Sequence, residues 1–194
     1  MAEVWSVFWQ QPLAEEETLW RVLPPARRER LAKEGGHRQQ ALCAYGLLRL
    51  ALWERFGLRE LPAIALAERG KPCFPAFPAL HFSISHTDGA ALVGLSGAPV
   101  GVDIEKYRPV GRRTMARLGR GMTEEEFLCS WVRREAIAKQ SGVGLADAMR
   151  ETLPTHKDVN YLSLDAAPGY FAGIAFADTP PVNQHRRSLE DLIF

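Results

Sequence analysis

The 194-residue sequence is short of cysteine, of any excess of one charge and of long apolar runs, and each shortage removes a class of protein. Its three cysteines, Cys43, Cys73 and Cys129, share no C-x-x-C spacing, which argues against a disulfide framework and against a zinc site. They read as reduced thiols. Lys and Arg number 24 against 23 Asp and Glu, a net charge of +1, so no global basic field exists and no nucleic-acid partner is expected. No stretch reaches the roughly 18 apolar residues of a membrane span, and the N-terminus carries Glu3 where a secretory leader is basic. The expectation is a cytoplasmic protein with no membrane partner. Hydrophobic residues make up 46% of the chain, enough for one compact unit or two small lobes sharing a core.

Periodicity supplies the elements. Val4 to Trp9 reads as an apolar strand, and Pro24-Pro25 opens a helix that puts Arg27 and Arg30 on one face. Leu42, Tyr45, Leu48 and Leu52 recur at helical spacing between Gln40 and Phe56, with Gly57 as the stop. From Leu80 the period changes to two. Leu80, Phe82 and Ile84 alternate with His81, Ser83 and Ser85, and strands Ala90–Ser96 and Val100–Glu105 follow across tight turns, which predicts an antiparallel three-stranded meander. Thr123-Glu124-Glu125-Glu126 has the form of a capping box ahead of a helix to about Gln140, and Asn160–Leu164 with Tyr170–Ala177 reads as a closing hairpin.

The residues able to do chemistry lie on these elements. In Val100-Gly101-Val102-Asp103-Ile104-Glu105 the strand period puts Asp103 and Glu105 side by side on one face, an arrangement that suits a hard cation such as Mg²⁺ but also serves as a plain solvated acidic face. Leu128, Trp131, Glu135 and Ala138 form one inward stripe, so Glu135 occupies a core position and needs a cation or a strong donor. Lys139, one turn on, is a candidate partner, and an ordinary helical Glu-Lys pair is the alternative. Ser85-His86 enters a Gly-containing turn from which a hydroxyl and an imidazole can reach a phosphate, and Gly70-Lys71-Pro72 is a tight basic turn. Together they describe a metal-assisted site for a polyphosphate.

Phe82-Ser83-Ile84-Ser85-His86, Val100-Gly101-Val102-Asp103-Ile104-Glu105 and Trp131 to Lys139 resemble, in order, the three signature motifs of Sfp-type 4′-phosphopantetheinyl transferases. Gly70-Lys71-Pro72 is similar to that family's adenine-side turn. The resemblance implies an α+β fold, a pseudo-dimer of two similar lobes, divided here at 1–99 and 100–194, with coenzyme A in the cleft between them. It implies that Asp103, Glu105 and Glu135 hold Mg²⁺, that Lys139 and His86 neutralise phosphate with help from Ser85, and that Asp103, Glu135 and Lys139 are the catalytic set. Arg27, Arg30 and Arg38 would meet the 3′-phosphate of coenzyme A, and Gly70, Lys71 and Pro72 its adenine. The expected activity is transfer of phosphopantetheine from coenzyme A to a serine of an acyl, peptidyl or polyketide carrier protein, by a monomer.

Three departures from the family pattern stand out. Arg134 replaces the usual lysine before the glutamate, Gln40 and Tyr45 lie where relatives often carry arginines, and the stretch from Lys106 to Glu126 is short. Two other functions remain open on the residues: a non-catalytic binder of coenzyme A or of a carrier protein, and an unrelated Mg²⁺-dependent phosphodiesterase or nuclease, for which the lack of basic excess makes nucleic acid a poor substrate.

Overall fold

The computed structural model describes residues 1–34, 38–67, 70–143, 159–177 and 182–194, apart from the side chains of residues 30, 33 and 34. The chain is mixed α and β, arranged as four layers. Strand β1 (Ala2–Phe8) is central to a first sheet of order β4-β5-β1-β9, with β4 at His81–Thr87, β5 at Ala90–Ser96 and β9 at Val182–Arg187. A second sheet has the order β6-β8-β7, with β6 at Val100–Lys106, β7 at Asn160–Leu164 and β8 at Tyr170–Phe176. A two-stranded ribbon, β2 (Ala65–Leu66) with β3 (Pro72–Cys73), lies between the helical region and β4.

The alternation within strands decides which layer meets which. Trp5 and Val7 of β1 and Ala91, Val93 and Leu95 of β5 face a core built with the helices α1 (Glu16–Val22), α2 (Pro25–Glu34) and α3 (Arg38–Phe56). The intervening residues, Val4, Ala90 and Leu92, pack instead against Val100, Val102, Ile104 and Ile174 of the second sheet. α3 is apolar nearly all round because α1 covers one side and β5 the other, and Gly57, at φ 71°, ends it. On the far side of the second sheet lies α5 (Glu124–Ser141), opened by the expected capping box between Thr123 and Glu126, an arrangement worth about 1 kcal/mol. A short helix, α4 (Arg112–Leu118), precedes it.

The expected meander is corrected at its third strand. β4 and β5 pair antiparallel as predicted, but β5 already has β1 on its other edge, so β6 has no edge to join and pairs with β8 instead. The turn at Gly97-Ala98-Pro99 therefore carries the chain from one sheet to the other. β6 still lies against β4, edge to edge, and side chains join them. The hydroxyls of Ser83, Ser85 and Thr87 accept the backbone N–H groups of Val102 (3.0 Å), Ile104 (3.3 Å) and Lys106 (3.4 Å). The polar face of β4 is thus buried, because its hydroxyls satisfy the open edge of β6.

α1 and β9 carried no sequence expectation. β9 runs parallel to β1, with Trp5 opposite His185, so residues 182–187 complete the first sheet from the far end of the chain. Among the described residues no helix is long and apolar enough to cross a membrane.

Candidate active site

β6 and α5 approach unusually closely, and one glycine permits it. A Cβ on Gly101 would collide with the backbone oxygen of Ala136 and the backbone nitrogen of Gln140, so only glycine lets the helix lie directly on the strand. This contact sets the height of α5 over β6 and brings the next residue on the same face, Asp103, beneath Glu135 and Lys139. The spacing of the acidic strand motif was visible in the sequence; the reason for its glycine was not.

Asp103 is 2% exposed, and its Oδ1 accepts from Lys139 Nζ at 2.6 Å and from Ser85 Oγ at 2.7 Å. Ser85 Oγ also accepts from Lys139 Nζ at 3.0 Å. Lys139 reaches on to Glu135 Oε2 at 3.6 Å, one turn away on the same helix, so it is a cation beside that carboxylate. Glu105, on the same face of β6, is held by the Arg108 guanidinium at 3.2 Å. The strand and helix periods therefore gather Asp103, Glu105, Glu135, Lys139, Ser85 and His86 around one cleft of about 280 Å³.

The charge in this cleft is incompletely neutralised. Burial, and then the neighbouring Asp103, push the Glu135 carboxyl up to about 7 against the pull of Lys139, and the same two causes raise Glu105 against the pull of Arg108. Asp103 Oδ2 is buried and has no hydrogen-bond partner among the described residues. An orphaned carboxylate oxygen beside two carboxyls that burial disfavours as anions is an oxygen donor set of the kind a hard cation takes, so the residues fit Mg²⁺. As the side chains stand, no three His, Cys, Asp or Glu groups among the described residues form a metal-holding cluster, and the Lys139 ammonium bridges the two acids.

A larger cleft of about 560 Å³ shares Ile84, His86 and Lys139 with the first, so the two are continuous. Arg27, Tyr45, Gly70, Lys71 and Pro72 line it. Burial raises the Tyr45 hydroxyl against the pull of Arg27, which places the cation beside that ring. His86 Nδ1 is 3.2 Å from Gln40 Oε1, so one departure from the family pattern orients the imidazole. Lys71 lines the cleft. Its Nζ donates to the backbone oxygens of Val100 (3.0 Å) and Gln140 (2.9 Å), which ties the turn to the start of β6 and to the last turn of α5. Burial pushes that ammonium down to about 8.

Arg38 and Arg30 were expected beside Arg27. Arg38 pairs with Glu16 at 3.0 Å and lies over the Trp20 ring at 4.1 Å, and it is not among the residues lining the cleft. The Arg30 side chain lies outside the described residues.

No protein-family model matches the chain. It is 28% identical over 188 residues to a 4′-phosphopantetheinyl transferase of Bacillus subtilis, covering 87% of this chain and 83% of the relative. The 4′-phosphopantetheinyl transferase Sfp of Bacillus subtilis strain 168 matches at 28% over 163 residues, covering 74% of this chain and 72% of Sfp. The 4′-phosphopantetheinyl transferase AcpT of Escherichia coli K12 matches at 35% over 135 residues, covering 62% of this chain and 66% of AcpT. With the three motifs gathered around one cleft and this likeness along most of its length, the chain belongs to the Sfp-type 4′-phosphopantetheinyl transferase family.

Proposed function

We propose that the protein transfers the 4′-phosphopantetheine group of coenzyme A to a serine hydroxyl of an acyl, peptidyl or polyketide carrier protein, releasing 3′,5′-ADP. The observation that carries this reading is the junction of the two clefts. A long, largely apolar groove with Arg27 at its side opens onto a buried acid cluster bridged by one lysine. Such a groove suits the nucleotide and pantetheine ends of coenzyme A, and the cluster suits the pyrophosphate between them.

In this reading Asp103, Glu105 and Glu135 hold Mg²⁺, which would neutralise the pyrophosphate charge when bound. Lys139 and His86, which both line the smaller cleft, supply donors to phosphate oxygens. Ser85 keeps Lys139 and Asp103 in register. The serine oxygen of the carrier bonds to the β-phosphorus, the bond from that phosphorus to the oxygen of 3′,5′-ADP breaks, and the serine proton passes to Glu135. The protein is taken as a cytoplasmic monomer; a dimer in light scattering at working concentration would contradict that part.

Chromatographic detection of 3′,5′-ADP tests the reaction. Release from coenzyme A is expected only when an apo carrier protein and Mg²⁺ are both present. Release without a carrier would mean hydrolysis, and coenzyme A binding with no release would make the protein a non-catalytic binder.

A further inference from the structure

Two apolar rows meet at the edge of the first core, and each ends in a polar residue. On β4 the strand period puts Phe82, Ile84 and His86 on one face. Phe82 is buried and Ile84 packs on the same core, so the imidazole terminates the row. On α3, Gln40 lies one turn before Ala44 and two before Leu47 and Leu48, which are fully buried. α3 packs on β4, and the two end residues meet, with Gln40 Oε1 3.2 Å from His86 Nδ1.

Gln40 is not among the residues lining either cleft, whereas His86 lines both, at their junction with Lys139. Any effect of Gln40 on a ligand there passes through the ring. The side chain is suited to that task. It offers the imidazole a neutral acceptor, where a lysine or arginine would offer none and a carboxylate would bring a charge that opposes a phosphate. Its backbone is also fixed, because the first turn of α3 is tied down by Gln39 Nε2, which donates to the backbone oxygen of Gln11 at 3.1 Å.

We infer that Gln40 is a positioning residue for coenzyme A, holding the His86 ring through Nδ1 so that Nε2 donates to a phosphate at the junction of the two clefts. The inference rests on the transferase reading, which puts coenzyme A in those clefts. A ring that donates through both nitrogens is the imidazolium, a charge-assisted donor for a phosphate oxygen.

The test is calorimetric binding of coenzyme A and of its 3′-dephospho form to the full chain, as wild type, Gln40→Met, His86→Ala and the double variant. Steady-state transfer to an apo carrier protein is measured alongside. Methionine matches glutamine in length and helix propensity but is only a weak acceptor, so the melting temperature should stay within about 2 °C. Gln40→Met is expected to weaken coenzyme A binding about three- to tenfold, with KM for coenzyme A rising in parallel and kcat held within about twofold. His86→Ala should cost at least as much. Adding Gln40→Met to it should cost nothing more, because the glutamine then has no ring to hold. A loss for coenzyme A alone assigns the ring to the 3′-phosphate, an equal loss for both forms assigns it to the pyrophosphate, and either supports the inference. Unchanged binding in Gln40→Met, or the same loss from that substitution with and without His86, would overturn it. A fall in kcat at unchanged affinity would overturn it too. Failure of the wild type to bind coenzyme A would instead refute the transferase reading, and the inference with it. Binding without transfer would refute that reading alone, since the four affinities still decide the role of Gln40.

Discussion

Lys139 Nζ lies 2.6 Å from Asp103 Oδ1 and 3.6 Å from Glu135 Oε2, so a single ammonium joins a carboxylate of β6 to a carboxylate of α5. Asp103 is almost fully buried, and removing its cation leaves an uncompensated charge inside the protein. Lys139→Met is expected to lower stability by about 2 kcal/mol in chemical denaturation, and Lys139→Arg by less. Unchanged stability in the methionine variant would mean that the pair is relaxed in solution.

Glu135→Gln separates function from fold. The substitution removes a carboxylate that burial and Asp103 already disfavour as an anion, so the melting temperature should hold or rise. Transfer should fall at least about a hundredfold, measured as kcat under saturating coenzyme A. Substantial residual kcat would remove Glu135 from the proposed reaction.

Gly101→Ala tests the close approach of α5 to β6. The added methyl group meets backbone atoms of Ala136 and Gln140, which cannot swing aside. A loss of about 3 kcal/mol is expected, read from urea denaturation, and a neutral result would show that the helix can lift without consequence.

Lys71 provides a pH test. Its folded-state pKa is depressed to about 8 from an ordinary 10.5, so between those values the unfolded chain binds more protons and stability rises with pH. Below about 8 the penalty for burying the ammonium is fully present. Lys71→Met should abolish the rise between pH 8 and 10.5 and, by leaving the Val100 and Gln140 oxygens without their donor, cost about 1–2 kcal/mol at pH 7. An alkaline rise that survives the substitution would assign it to another group.

The acid cluster was legible because strand and helix periods are local: Asp103 and Glu105 share a face by alternation, and Glu135 and Lys139 share one by the helical turn. What the sequence could not disclose is long-range. Nothing local distinguishes a β6 that pairs with β5 from one that pairs with β8; that depends on β1 having taken the free edge of β5. Ser83 looked like the wet face of a half-buried strand, yet its hydroxyl, with that of Thr87 beyond it, satisfies β6. The turn at Lys71 looked merely basic, and nothing local showed that its ammonium bonds two backbone oxygens. Arg38 was grouped with Arg27 through the resemblance, and no local signal showed that it pairs with Glu16 and lies over Trp20.

The most direct test of the central claim is the intact mass of an apo carrier protein after incubation with this protein, coenzyme A and Mg²⁺. A gain of about 340 Da, the phosphopantetheine arm, located on one serine and lost with EDTA, is the result expected. An unchanged mass across acyl, peptidyl and polyketide carriers, with coenzyme A demonstrably bound, would contradict it.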